Sequence, residues 1–146
     1  MAALAVAACV VGAIAWCGPP RQLRAREVAL QVELDAFSGL PNPRWNLTEE
    51  QTAGFLTRFR ALRTARDVPS TGGGLGYRGF VVRPNTGTVN GYDEIRLYHG
   101  TVRARRGDRV ETFSDSDRGL ERWLLDSARG HVDESILKYI RDEIGR

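Results

Sequence analysis

Residues 27–37, EVALQVELDAF, set Val28, Leu30, Val32 and Leu34 against Glu27, Gln31, Glu33 and Asp35. Alternation with a period of two marks a strand that buries one face and wets the other. Whatever the chain folds into must therefore contain a sheet with one covered side. The strand runs into FSGLPNPRW, residues 37–45, where Gly39, Pro41 and Pro43 suit neither a helix nor a central strand. The period then changes. In NLTEEQTAGFLTRFRALRTA, Phe55, Leu56, Phe59 and Leu62 recur at helical spacing, and Thr48 with Gln51 spells a capping box.

Residues 67–76 (DVPSTGGGLG) read as a loop, and YRGFVVRP as a short strand that Pro84 stops. NTGTVNGYD is a turn region rich in glycine and asparagine. Two further strands, EIRLYHGTVRAR and RVETFS, meet at Arg106-Gly107-Asp108, a hairpin with Gly107 at positive φ. DSDRGLERWLLDSARG is an amphipathic helix with Leu120, Trp123 and Leu124 inward and Gly130 as its stop. DESILKYIRDEIG is a second helix, burying Ile136, Leu137, Ile140 and Ile144. A strand, a helix, a run of strands and then helices predict an α+β fold. The expected architecture is a small, mostly antiparallel sheet of three to four strands with helices packed on one face. Residues 27–146 form its single domain.

An apolar leader precedes that domain. Residues 2–17 are apolar without a break, too few for a comfortable membrane span, which takes ~20 residues. The run suits the core of an export signal, with Ala13-Ile14-Ala15 as a cleavage pattern. Alternatively Cys17 is the lipidated residue of a lipoprotein signal. A third reading is a retained N-terminal anchor, since the first basic residues, Arg21, Arg24 and Arg26, follow the run. Residues 1–17 are thus signal peptide, lipoprotein signal or anchor, and residues 18–26 a tether. The expected location is exported: periplasm, cell envelope or secreted, with membrane contact through the N-terminal segment. Both cysteines, Cys9 and Cys17, lie in the leader, so the domain holds together by core packing without a disulfide.

The net charge is +3, and twenty arginines stand against one lysine, Lys138. Most are dispersed or interleaved with acids, as in FLTRFRALRTARD and RGLERWLLDSARG, and only Arg103, Arg105, Arg106 and Arg109 cluster, at a turn, whereas a nucleic-acid binder concentrates them on one face or in one run. No nucleic acid is expected as a partner.

Few motifs carry chemistry. GLGYRGFV, residues 74–81, matches G-x-G-x-x-G, but dinucleotide binding needs a strand before the glycines and a helix after them. Here a loop precedes and a strand follows, so no cofactor is expected. His99 and His131 lack convergent partners at metal-ligating spacing. Asp115 or Asp117 suits the cap of the helix that follows. The stiff 37–45 stretch either pins Trp45 over the following helix or offers a binding rim of Asn42, Arg44 and Trp45 with Tyr77 and Arg78. These observations favour a non-catalytic binding module whose partner is an envelope protein or a small ligand. Two alternatives stand beside it. One is a small hydrolase or transferase built around His99 with Asp93 or Glu94. The other is a secreted, inhibitor-like module that presents the 37–45 loop.

The combination F-S-G-x-P-N-P-x-W at Phe37–Trp45, Y-R-G-F-V-V at Tyr77–Val82 and L-E-R-W-L-L at Leu120–Leu125 resembles a group of small uncharacterised bacterial exported proteins. The resemblance implies a bacterial origin and export. It implies no activity, ligand or catalytic residue.

Overall fold

The computed structural model describes residues 29–37, 39–66 and 76–145. The apolar run, the tether, Cys17 and residues 67–75 lie outside them. Ten elements follow in order: β1 (Leu30–Asp35), β2 (Arg44–Asn46), α1 (Glu49–Arg60), β3 (Arg63–Thr64), β4 (Gly79–Pro84), β5 (Glu94–Tyr98), β6 (Thr101–Arg106), β7 (Arg109–Ser114), α2 (Gly119–Ser127) and α3 (Glu134–Gly145). The strands form one sheet in the order β2-β1-β4-β5-β6-β7-β3, with every neighbouring pair antiparallel.

Seven strands replace the three to four that the residue pattern predicts, for three physical reasons. EIRLYHGTVRAR is two strands, because His99 (φ 49°) and Gly100 (φ 73°) fold it into the two-residue β5–β6 hairpin. Positive φ at both central residues gives the turn the twist of the flanking strands. Histidine is among the side chains enriched at positive φ, though far less diagnostic there than Asn-Gly. The proline stretch also yields a strand: Pro41 and Pro43 precede it, and Arg44–Asn46 pair with β1 as β2. Finally, α1 ends at Arg60, and Arg63–Thr64 turn to pair with Phe113 and Ser114 as β3.

Strand register separates the two faces. Leu30, Val32 and Leu34 on β1 lie opposite Pro84, Val82 and Phe80 on β4. The same row continues through Ile95 and Leu97 on β5 to Ala104 and Val102 on β6. The three helices cover this apolar face. α1 starts at a complete capping box: Thr48 Oγ1 accepts from Gln51 N at 3.2 Å and Gln51 Oε1 accepts from Thr48 N at 2.9 Å. It inserts Phe55 and Phe59, the latter edge-on to Tyr92 and Phe113 with ring centroids 5.8 and 5.3 Å away. Each such side chain stabilises the fold by about 1.5–3 kcal/mol through area removed from water. α2 contributes Leu120, Leu124 and Leu125, and α3 Leu137, Ile140 and Ile144. β2, α1 and β3 are consecutive in the chain yet sit at opposite edges of the sheet, so α1 carries the chain across the covered face.

The start of α2 differs from expectation in detail. Its cap position is Arg118, in the left-handed region (φ 52°) and without a side-chain cap bond. Asp115 does the capping from three residues upstream, accepting from Leu120 N at 3.0 Å and Glu121 N at 3.2 Å. Burial of this carboxylate pushes its pKa up, against the pull of those two amides.

Candidate functional site

The β1–β2 hairpin ends in a loop whose brace is Asn42. Its Oδ1 accepts from the backbone N–H of Ala36 (3.3 Å) and Phe37 (3.2 Å). Its Nδ2 donates to Glu33 Oε1 (3.0 Å) and Asp35 Oδ1 (3.3 Å). Both lone pairs and both N–H groups of one amide are thereby used on the loop and its strand. Arg78, immediately before β4, clamps the same loop, donating its Nε to Asp35 Oδ1 (2.9 Å) and a terminal nitrogen to the Phe37 carbonyl (3.1 Å). At the tip, between Gly39 (φ 86°) and Pro41, Leu40 is 69% exposed.

Around this loop the open face of the sheet carries a chain of alternating charges. Arg44 Nε lies 3.1 Å from Glu33, and Arg83 bridges Glu33 (2.9 Å) to Glu94 (2.8 Å). Arg96 closes the row at 2.7 Å from Glu94. Burial raises the pKa of Glu33 and Glu94, but hydrogen bonds from Asn42 to Glu33 and from Arg96 to Glu94, with those of Arg44 and Arg83, outweigh it. Both carboxyls sit below the ordinary range. They are fixed anions, poorly suited to exchanging protons near neutrality.

Of the five residues read as a rim, Asn42, Arg44 and Arg78 gather at this hairpin. Trp45 and Tyr77 are only 4% and 5% exposed. Trp45 donates its indole N–H to Ser127 Oγ at 3.2 Å, meets Phe80 edge-on and stacks on His131. It pins β2 to α2. Tyr77 turns inward and donates its hydroxyl to Glu121. Cys17 lies outside the described residues. Glu33, Asp35, Arg83, Glu94 and Arg96 belong to the arrangement although no motif announces them. Their alternation along β1, β4 and β5 was the available signal.

A second polar group surrounds Glu121, which is 1% exposed. Besides Tyr77, the carboxylate faces the backbone N–H of His99 (3.4 Å) and Gly100 (3.3 Å), so the β5–β6 turn is tied to α2. Arg118 lies 3.0 Å from His99 Nδ1 and donates to the carbonyls of Glu143 (3.1 Å) and Ile144 (2.7 Å) at the end of α3. A guanidinium only donates, so Nδ1 of His99 accepts. The acids considered for His99 lie elsewhere. Glu94 is at the far end of β5, five residues and so roughly 16 Å from His99 at ~3.3 Å per residue, and Asp93 accepts from Gly107 N at 2.7 Å. Among the described residues no group of three or more His, Cys, Asp or Glu is placed to hold a metal ion. No helix of the described residues is long and apolar enough to cross a membrane. Comparison with protein-family models, with curated proteins and with solved structures finds no match to this chain.

Proposed function

We propose that this chain is an exported or membrane-tethered bacterial domain that acts as a non-catalytic interaction module, engaging an envelope protein through the β1–β2 loop. The observation that carries this reading is Leu40, 69% exposed at the tip of a loop whose base is fixed by Asn42 and Arg78. An apolar side chain held out on a stiff support loses little conformational entropy when a partner's pocket closes on it, and that preorganisation favours affinity. Arg44, 58% exposed beside the loop, favours a partner with acidic groups bordering that pocket. The apolar run at residues 2–17 supports the export half of the reading.

A photo-crosslinking residue at position 40, compared with one at Thr112 on the opposite part of the sheet, tests the loop in the bacterial host. A discrete adduct at 40 that disappears in an Asn42→Ala background is expected. Equal labelling at both positions would remove the loop from the function. The intact mass of the protein from membrane and soluble fractions tests export. A start at Trp16, or an acylated start at Cys17, supports it, whereas an unprocessed chain confined to the cytosol overturns it.

A further inference from the structure

The open face of the sheet is uneven in charge. From β2 to β5 each arginine meets a carboxylate: Arg44, Glu33, Arg83, Glu94 and Arg96 alternate in sign. Beyond β5 the alternation stops. Register places Arg103 of β6 directly opposite Arg96, and Arg105 directly opposite Glu94. Both oxygens of Glu94 are already taken by Arg83 and Arg96. Arg103 and Arg105 are exposed and make no ion pair among the described residues. Like charges directly opposite on neighbouring strands destabilise a sheet, so the fold itself gains nothing from the Arg96–Arg103 pair. The next strand adds no acid on this side: Val110 and Thr112 of β7 lie opposite Arg105 and Arg103, and Val110 is 57% exposed.

We propose that this arginine-rich face, centred on Arg96, Arg103 and Arg105 with Val110 at its border, docks on an anionic lipid surface. Charge complementarity selects the occupant. A second copy meeting the same face about a two-fold axis would set these arginines against their own counterparts. A bilayer is flat, as is an uncovered sheet face, and its phosphate headgroups supply the missing anions. An exposed valine among the cations suits the boundary between headgroups and acyl chains. The inference rests on the proposed tethered reading for its setting: residues 18–26 span at most roughly 30 Å when extended, which keeps the domain close to the surface that holds the leader. That tether carries Arg21, Arg24 and Arg26, so its contribution must be separated from that of the sheet.

Flotation of the full chain with vesicles makes the separation. Phosphatidylcholine vesicles read the apolar leader; vesicles that also contain phosphatidylglycerol read the leader plus charge. Exchanging both exposed arginines, Arg103→Gln and Arg105→Gln, should lower partitioning into the anionic vesicles at low salt by roughly fivefold per arginine. Binding to neutral vesicles and the melting temperature should stay unchanged. Raising the salt should erase the difference between the two proteins. An anionic increment that survives the double exchange, but vanishes with Arg21, Arg24 and Arg26 changed to Gln, overturns the proposal. Binding of a single-stranded oligonucleotide through Arg103 and Arg105, without any vesicle increment, overturns it in favour of nucleic acid. Failure to float with neutral vesicles, while the Arg103- and Arg105-dependent increment persists, removes the tether and leaves the docking face standing.

Discussion

Tyr77 donates its hydroxyl to Glu121, a carboxylate that also faces the amides of the β5–β6 turn. Burial, then the negative charge of Glu121, pushes the Tyr77 pKa far above that of an ordinary tyrosine. Unfolded tyrosine ionises near pH ~10. Above that pH the unfolded chain releases a proton that the folded chain retains, so stability falls as pH rises. Burial and Glu111 shift Tyr92 the same way. Tyr77→Phe should therefore cost about 1.5–3 kcal/mol at neutral pH, the value of a hydrogen bond to a charged group. It should also flatten the alkaline decline. Denaturation midpoints measured from neutral to alkaline pH check both; parallel alkaline slopes in the two proteins would refute the assignment.

At the acid end the sign reverses. Glu33 and Glu94 have lowered pKa values, so the stability they confer is present above the unfolded value near pH ~4.3 and lost as pH falls through the folded one. Arg83 serves both carboxylates. Arg83→Gln should raise both pKa values and shift the onset of acid unfolding to higher pH, by an amount that added salt reduces. An unchanged acid transition would mean that the remaining partners suffice.

Trp45→Ala should cost about 3–5 kcal/mol, the range for deleting a large buried aromatic side chain. Leu40→Ala should leave stability within ~0.5 kcal/mol, as expected of an exposed residue. Thermal unfolding of the two variants separates a core tryptophan from a presented leucine. Similar losses in both would contradict this division of labour.

Asn42→Ala removes the acceptor for two loop amides and should cost about 1–3 kcal/mol. Hydrogen exchange at Ala36 and Phe37 is the sharper readout, because local opening should rise there while β4 and β5 remain protected. Uniform acceleration across the sheet would mean that Asn42 supports the whole domain rather than the loop.

Gly79 has φ 105°, and a Cβ built there would lie 1.9 Å from the Leu97 carbonyl oxygen. Gly79→Ala should therefore cost roughly 3 kcal/mol or more, combining left-handed strain with a clash against backbone. Gly107→Ala, at φ 56° with nothing near its Cβ position, should cost only about 1–2 kcal/mol. Equal effects would make conformational strain alone sufficient.

Local chemistry was legible in the sequence where one residue type has one strong use. Thr48 and Gln51 form their box, and Gly107 turns its hairpin. Legibility failed where tertiary pairing decides. Nothing in Arg63-Thr64 distinguishes a two-residue strand from the frayed end of a helix; only β7 makes it one. His99-Gly100 lies inside an apparently continuous strand, and its turn is held from outside by Glu121 on α2. The glycines of GLGYRGFV were recognisable, but the need at Gly79 is a neighbouring strand's carbonyl, which no local pattern encodes. At the candidate site Asn42 was visible as unusual. Its role as a brace depends on Glu33 and Asp35, nine and seven positions away and aligned by the β1–β2 register.

One continuous stretch, from Arg44 to Thr64, supplies both border strands of the sheet and the helix between them. Edge strands shield the backbone groups behind them from pairing with another molecule. The two guards have separate anchors: Trp45 ties β2 to α2 through Ser127, whereas Phe59 of α1 packs on Phe113 of β7, the residue that pairs with Thr64 of β3. An excursion of α1 would therefore bare part of β7 while Trp45 keeps β1 covered, so the two borders resist strand exchange with a neighbouring molecule independently.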